Sequence, residues 1–486
     1  MLDLSKLPTQ PYAHQLDELR KSAMCPFWGL FWTMGTGKTF AAILHAVALL
    51  DAGKIDAGLV IAPKGVYRNW SDVELPKHLP DVMRHVAYWT PQPRVAERES
   101  IAKAMCRGNG FTWLVMNVEA LSTKKGAAAA ERFLRLHRSI VIVDEATCVK
   151  NPKAARTKAL LGLRSLAPYR RILTGTPITK SPLDLFAPCL FLSPDALGSR
   201  SFYAFRARFA EMEPQRIERW DADKQKRVVR TVQKVTGYKN LDDLTRILSL
   251  FSSRVMKEDC VDLPEKVYER RTVEMTREQS ALYAEMQEKA RATLGGEVRV
   301  EAPIAIAQIL RLHQIACGFV GGDVEQSIPS RREEELLAVL GETAGKAIVW
   351  ATYTHNVESI ARAIAKEHGP ESVVTYYGAT PEDERPRNVE RFQHDDRVRF
   401  FVGQPRTGGY GLTLTAASTV VYYSNSYDLE VRLQSEDRAH RIGQRNPVTY
   451  VDLVTPGTVD ERIIESLRAK RSLASQVMGD GWKEWI

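Results

Sequence analysis

A chain of 486 residues is too long for one ordinary core and is expected to fold as two large domains. Hydrophobic residues at 44% and charged residues at 26% exclude long disordered stretches, and a formal net charge of +9 suits a polyanionic partner, nucleic acid first. Six cysteines at 25, 106, 148, 189, 260 and 317 lack the spacing of a zinc site or a disulfide framework; with no signal-peptide pattern after Met1 and no membrane-length apolar run, they fit a reducing cytoplasm, without zinc or membrane.

In chain order, the first half repeats short apolar runs closed by polar or glycine-containing turns. Gly58–Pro63, Trp113–Asn117, Ile140–Asp144 and Arg171–Pro177 read as parallel strands buried on both faces, alternating with helices in a wound α/β sheet. From about 190 to 340 the strand rhythm stops and helical patterns dominate, with a basic stretch from Arg219 to Lys239. Strands resume at Lys346–Thr352, Ser372–Tyr377, Val398–Gly403, Thr419–Tyr423 and Val448–Leu453, a second α/β lobe. The expected boundaries are 1–255 for the first lobe, with a helical protrusion from about 190, and 256–486 for the second, with a helical insertion to about 340 and a C-terminal brace.

Ligands of wound sheets gather at the carboxyl ends of strands, where the chemistry-bearing residues lie. Gly35, Gly37, Lys38 and Thr39 meet the needs of a phosphate loop: backbone N–H groups turned to phosphate, a cation and a magnesium ligand. The strict loop pattern also asks for glycine where Trp32 stands, and a surface Gly-Lys-Thr turn is the alternative. Asp144 and Glu145 follow four apolar β-branched residues; a carboxylate there needs a cation or a job, so Asp144 reads as the magnesium-side carboxylate and Glu145 as the residue orienting water, against a capped helix start. Arg438 and Arg441 share a face if their segment is helical, and read as arginine fingers completing a nucleotide site from the other lobe, against a solvated basic face. Tyr67-Arg68-Asn69-Trp70 either tracks a DNA backbone or places Trp70 in the core. The run Lys224, Lys226, Arg227, Arg230 and Lys234 is either a duplex grip or a solvated hairpin.

Taken together, these segments resemble the Swi/Snf-type, helicase-like ATPases of superfamily two over nearly the whole chain. Tyr12-Ala13-His14-Gln15 resembles the family's adenine-reading motif, Met34–Thr39 its first motif, Ala62-Pro63-Lys64 the motif contacting a DNA strand, Asp144-Glu145-Ala146-Thr147 its DEAH-type segment and Leu173–Pro177 its coupling motif. Gly237–Asn240 and Asp262–Lys266 look like landmarks at the lobe junction, Arg406–Leu412 follows in order, and Asp437–Gln444 is identical in type to the branch signature. The resemblance implies two tandem RecA-like lobes with helical protrusions between them. It puts ATP on Gln15, Met34, Gly35, Thr36, Gly37, Lys38, Thr39, Gly411 and Gln434, and magnesium on Thr39 and Asp144. Nucleic acid falls to Pro63, Lys64, Arg68, Thr174, Arg406, Gly408 and Gly409. The chain departs from the family at Trp32 and Thr33, usually acidic, at Thr147, usually histidine, at Thr179, Lys180 and Ser181 in place of asparagines, and at Thr413.

The expected activity is ATP-driven translocation on double-stranded DNA, with a DNA-bound protein as a further partner. A strand-separating helicase shares every ATP motif, and an ATP-gated scaffold with vestigial hydrolysis is the alternative of another class. A motor with so little beyond its two lobes suits a bacterium or a phage-infected cell.

Overall fold

The computed structural model describes residues 7–80, 85–108, 110–221, 226–260, 263–295, 302–321, 325–408 and 412–478. They form two units: within the described residues, 7–210, 238–260 and 473–478 make the first, and 211–237 and 263–472 the second. This division differs from 1–255 and 256–486: the first unit runs past residue 255 and takes in the stretch after residue 472, and 211–237 groups with the second.

Six strands of the first unit come in chain order: β1 Phe27–Leu30, β2 Ala57–Ala62, β3 His85–Tyr88, β4 Thr112–Asn117, β5 Ser139–Val143 and β6 Tyr169–Leu173. Strands β7 Ala210–Asp221 and β8 Lys226–Tyr238 pair with each other, and β9 Ser252–Ser253 returns to the first sheet, whose order is β3-β4-β2-β5-β6-β1-β9 with every pair parallel. Such a sheet is covered on both faces, and β-alternation sorts its side chains into two cores. Leu59, Ile61, Val141 and Val143 enter one apolar cluster, while Val60, Ala62, Ile140 and Ile142 enter the other.

The second unit repeats the plan with β10 Lys266–Thr272, β13 Lys346–Trp350, β14 Val373–Tyr376, β15 Phe400–Gly403, β16 Ala417–Tyr422 and β17 Val448–Val454; a small antiparallel pair, β11 Phe319–Val320 and β12 Gln326–Ser327, stands apart. Its sheet runs β10-β17-β16-β13-β15-β14, again parallel throughout. Ala347, Val349, Phe400 and Val402 pack on one side, and Ile348, Trp350, Phe401 and Val420 on the other.

The helical reading of 190–340 needs correction. Helices Phe186–Leu192, Phe202–Phe209, Arg277–Gly295, Ala302–Ala316 and Arg332–Glu342 are present, but the basic stretch lies in the β7–β8 pair and β10 is an edge strand. The sequence Lys-Val-Tyr-Glu-Arg-Arg-Thr of β10 has no continuous apolar run because each of its positions is exposed or half-buried, at the edge of the sheet. Lys224 lies outside the described residues, as do the side chains of Lys226, Arg227 and Arg230. No described helix is long and apolar enough to cross a membrane.

One buried cation ties three elements of the first unit together. Arg171 on β6 donates from Nε to His45 Nδ1 at 2.9 Å on the helix Lys38–Asp51, and from Nη2 to the carbonyls of Ser22 (3.1 Å) and Ala23 (2.9 Å) where the helix Ala13–Ser22 ends. Burial pushes its guanidinium down to about 10 and, with the Arg171 charge, holds His45 well below the usual imidazole range. Neutral His45 is therefore the acceptor that Arg171 requires. Replacing Arg171 with Leu strands two carbonyls and an imidazole nitrogen, and the expected loss is roughly 3 kcal/mol or more of unfolding free energy. Urea unfolding of wild type and variant reads it; a loss below about 1 kcal/mol contradicts this role.

Candidate nucleotide site and its partner motifs

The loop after β1 turns on glycine. Gly35 (φ +82°) and Gly37 (φ +79°) both adopt the left-handed region, where a side chain is strained, and they flank Thr36 in a nest of backbone amides. A Cβ on Gly37 collides with Gln15 Nε2. Gly37 also caps the helix Lys38–Asp51 without any side-chain acceptor, which leaves that N-terminus suited to an anion. Thr36 is buried, its hydroxyl donating to the Thr33 carbonyl at 2.8 Å, and Lys38 is buried behind the loop.

Gln15 braces this loop. Its Nε2 donates to the Gly37 carbonyl at 3.0 Å and its Oε1 accepts from the Tyr12 amide at 2.9 Å, while His14 Nε2 contacts the Thr36 carbonyl at 2.9 Å. The expected adenine reader thus has one partner on each polar atom, leaving one N–H and one lone-pair direction for a base.

Asp144 follows β5 and is buried. Its Oδ1 accepts from the Glu145 amide at 2.9 Å and its Oδ2 from the Trp70 indole Nε1 at 2.8 Å. Burial pushes its carboxyl up, against the pull of the Lys38 charge and of these two donors. Glu145 itself sits at φ +45°, ψ +61°, a left-handed backbone that a non-glycine residue holds only where its surroundings compel it, as they do at functional sites. A cationic Lys38, a glycine-lined cradle and a buried carboxylate acting on one another suit a phosphate chain carrying a divalent cation.

The segment after β9 completes the cradle, and nothing in the sequence singles it out. Arg254 donates to the carbonyls of Phe31 (2.6 Å) and Gly175 (3.3 Å), joining the ends of β1 and β6. Buried Lys257 lies against the loop, its Cε 3.1 Å and Nζ 3.5 Å from where a Gly35 Cβ would stand. The departures at 32 and 33 serve this docking: Trp32 donates to Ser253 Oγ at 2.8 Å, and the Thr33 hydroxyl donates to the Val255 carbonyl at 3.3 Å. Those at 179 and 180 are served by one carboxylate, since Asp184 Oδ2 accepts from the Thr179 amide (3.1 Å) and hydroxyl (2.9 Å) and the Lys180 amide (2.8 Å).

Of the residues expected at nucleic acid, Lys64 and Arg68 are exposed, and Arg68 lies 3.5 Å over the Tyr88 ring. Pro63 and Thr174 are buried instead, the Thr174 hydroxyl accepting from the Thr176 amide at 3.2 Å. In the second unit Arg406 is exposed, 3.4 Å from Asp428 Oδ2. Gly408 has a packing reason to be glycine, because a Cβ there would stand 2.7 Å from the Trp350 ring. Gly409, Tyr410 and Gly411 lie outside the described residues, as does Asp262.

The arginine motif of the second unit rests on buried charge. On the helix Leu429–Glu436, Arg432 clamps Asp452 through Nη1 (2.6 Å) and Nη2 (3.0 Å) and donates from Nε to Glu436 at 2.8 Å. The following turn carries Arg438, which donates to the carbonyls of Gln434 (3.0 Å) and Leu412 (3.1 Å), and Arg441, which donates to Thr413 Oγ1 at 3.2 Å. Gln434 is buried and donates to Glu430 at 3.3 Å. Gln444 pins the turn by donating to the carbonyls of Ala417 (2.8 Å) and Ala439 (3.1 Å), and His440 contacts the Pro264 carbonyl at 2.7 Å. Much of the signature 437–444 therefore builds the turn that presents the arginines.

Loop amides, a lysine and a carboxylate at one end of a parallel sheet are how nucleotide-hydrolysing α/β domains hold a phosphate chain, and the first unit has the architecture of that class. Its particular family emerges from sequence comparison: the SNF2-related domain matches residues 30–317, and the helicase conserved C-terminal domain matches residues 331–443. The chain belongs to the SNF2-related family of helicase-like ATPases. It is similar to YwqA of Bacillus subtilis (strain 168), 25% identical over 469 residues, which cover 93% of this chain and 46% of that protein. The human SWI/SNF-related matrix-associated actin-dependent regulator of chromatin subfamily A member 1 is 26% identical over 478 residues, 92% of this chain and 41% of that one. This chain thus spans less than half the length of these curated relatives. Among solved structures, the Sulfolobus solfataricus SWI2/SNF2 ATPase core in complex with dsDNA aligns over 98% of this chain and 94% of that one, at 24% identity and a TM-score of 0.43.

Glu436 sets a pH dependence for the second unit. Burial raises its pKa, but the charges of Lys266, Arg432 and Arg471 overcome it and bring the carboxyl from 4.5 down to about 2. A depressed folded-state pKa gives stability that is fully present above the unfolded value and is lost as pH falls toward the folded one. The shift corresponds to about 3 kcal/mol. Glu436→Gln is expected to be less stable than wild type at neutral pH, with the gap narrowing as pH falls from about 4.5 toward 3. Urea midpoints across that range check it, and a gap that stays constant refutes it.

Proposed function

We propose that the protein is an ATP-dependent DNA translocase that couples ATP hydrolysis to movement on double-stranded DNA without full strand separation. The observation that carries this reading is buried Asp144 under the charge of Lys38, beside a loop whose two left-handed glycines leave backbone amides for phosphate. In this reading Lys38 and the amides of 35–39 bind the phosphates, Gln15 meets the adenine, and Thr39 and Asp144 would hold magnesium. Bound magnesium neutralises charge on the phosphate oxygens. Glu145 orients the attacking water, and Arg438 and Arg441 stabilise charge on the transferring phosphoryl group. Exposed Lys64, Arg68 and Arg406 and the net charge of +9 suit a polyanionic track, and a protein bound to that DNA is the further partner.

Separate roles for phosphate binding and water orientation predict different defects. Lys38→Ala is expected to lose ATP binding and turnover together, whereas Glu145→Gln keeps ATP binding and loses turnover. Equilibrium binding of a fluorescent ATP and steady-state ADP release measure the two. Near wild-type hydrolysis by Glu145→Gln removes that residue from the mechanism.

A translocase and a strand-separating helicase share this ATP site and differ in product. Duplex DNA is expected to stimulate hydrolysis more than single-stranded DNA or RNA, with stimulation falling steeply as salt screens phosphate contacts. The protein should displace the third strand of a triplex and leave a forked duplex mostly closed. Efficient fork opening without triplex displacement favours the helicase.

A further inference from the structure

Trp70 has no place in the mechanism above, yet its indole touches the carboxylate at the centre of it. The side chain is fully buried within the apolar cluster on one face of the first sheet, and a phenylalanine would fill that space nearly as well. The N–H distinguishes it. Trp113 and Trp350 are also fully buried, and their indole nitrogens have no hydrogen-bond partner, as befits ring fillers. Trp70 Nε1 instead donates to Asp144 Oδ2 at 2.8 Å, across 74 positions of sequence.

With the Glu145 amide on Oδ1 and the indole on Oδ2, both oxygens of Asp144 are fixed, and the plane of the carboxylate with them. A carboxylate has about four lone-pair directions, so roughly two stay available for a cation and its water. The backbone that delivers Trp70 is unusual. Residues Trp70–Glu74 form a single π-helical turn, closed by the Leu75 amide on the Trp70 carbonyl, and such turns concentrate at functional sites. The short helix Tyr67–Asn69 runs directly into it, so exposed Lys64 and Arg68 sit on the same segment as the buried indole.

We propose that Trp70 is a positioning residue for the magnesium-side carboxylate: its indole N–H holds Asp144 in the orientation that receives the cation, and links Asp144 to the segment bearing Lys64 and Arg68. This rests on the assignment of Asp144 under Proposed function. Partners that orient a metal ligand are commonly worth about 10- to 100-fold in metal affinity.

The test uses the full chain and Trp70→Phe, which keeps an aromatic filler and removes the donor. Affinity for a fluorescent, non-hydrolysable ATP is titrated against Mg²⁺, and again in EDTA. The half-saturating Mg²⁺ is expected to rise about tenfold or more in Trp70→Phe, while metal-free affinity stays unchanged. An unaltered Mg²⁺ dependence in a folded Trp70→Phe, beside a clear dependence in wild type, overturns the inference and spares the function. Wild-type binding that ignores Mg²⁺ overturns the assignment of Asp144, and this inference with it. If Trp70→Phe does not fold, indole ¹⁵N–¹H spectra decide: one tryptophan signal should shift in Asp144→Asn and also on adding Mg²⁺ and nucleotide to wild type. No indole signal responding to Asp144→Asn overturns it.

Discussion

A carboxylate at the end of a strand buried on both faces is tolerable only if its charge is answered, and much of the first unit is arranged around answering Asp144. Leaving such a group uncompensated costs several kcal/mol. The compensation comes from elements far apart in sequence: the backbone just after Asp144, the indole of Trp70 and the charge of Lys38 at the head of a helix. Each answer fixes a neighbour. Lys38 requires the glycine turn before it, that turn requires Gln15 against Gly37, and the strand feeding the turn is held by Arg254 and Trp32 on the segment from 252 to 255.

The second unit solves the same kind of problem with complete ion pairs. Arg432 between Asp452 and Glu436, and Arg332 on Asp460, are charges withdrawn from water with their counter-ions in contact. Such clusters add little stability over apolar packing of the same volume, but breaking one partner is expensive, so they penalise any alternative arrangement of the helices that carry them. The turn of Arg438 and Arg441 follows directly from one of those helices. Its geometry inherits that penalty.

The two sheets were legible because parallel strands covered on both faces have to be continuous apolar runs, and β2, β4, β5, β13 and β15 are. Other strands left no mark. β1 is buried and apolar but only four residues long, β9 has two, and β10 at an edge has only exposed and half-buried positions. The glycine turn and the Asp144–Glu145 pair stood out for a chemical reason, since glycines and carboxylates at strand ends have few structural uses. Residues contributed only by tertiary contact were not. Lys257 reaches Gly35 from far down the chain, and the choice between Trp70 as filler and Trp70 as DNA contact missed a third use, as donor to Asp144. Thr174 and Gly408, expected at nucleic acid by resemblance, are buried, and packing against Trp350 gives Gly408 a reason of its own to be glycine.

Strand β9 has a bearing on the order in which the chain becomes functional. It pairs beside β1, with Ser253 meeting the indole of Trp28 across 225 positions, and the residues that follow it supply Arg254 and Lys257 to the loop. Domains are assembled from the N-terminus as they are synthesised, so β1 and its glycine turn are made early, before both of their strand partners: β6 follows about 140 residues later and β9 more than 220. A nascent chain, or a fragment ending before residue 252, therefore carries the glycines and lysine of this loop without Ser253, Arg254 and Lys257, the contacts that brace it.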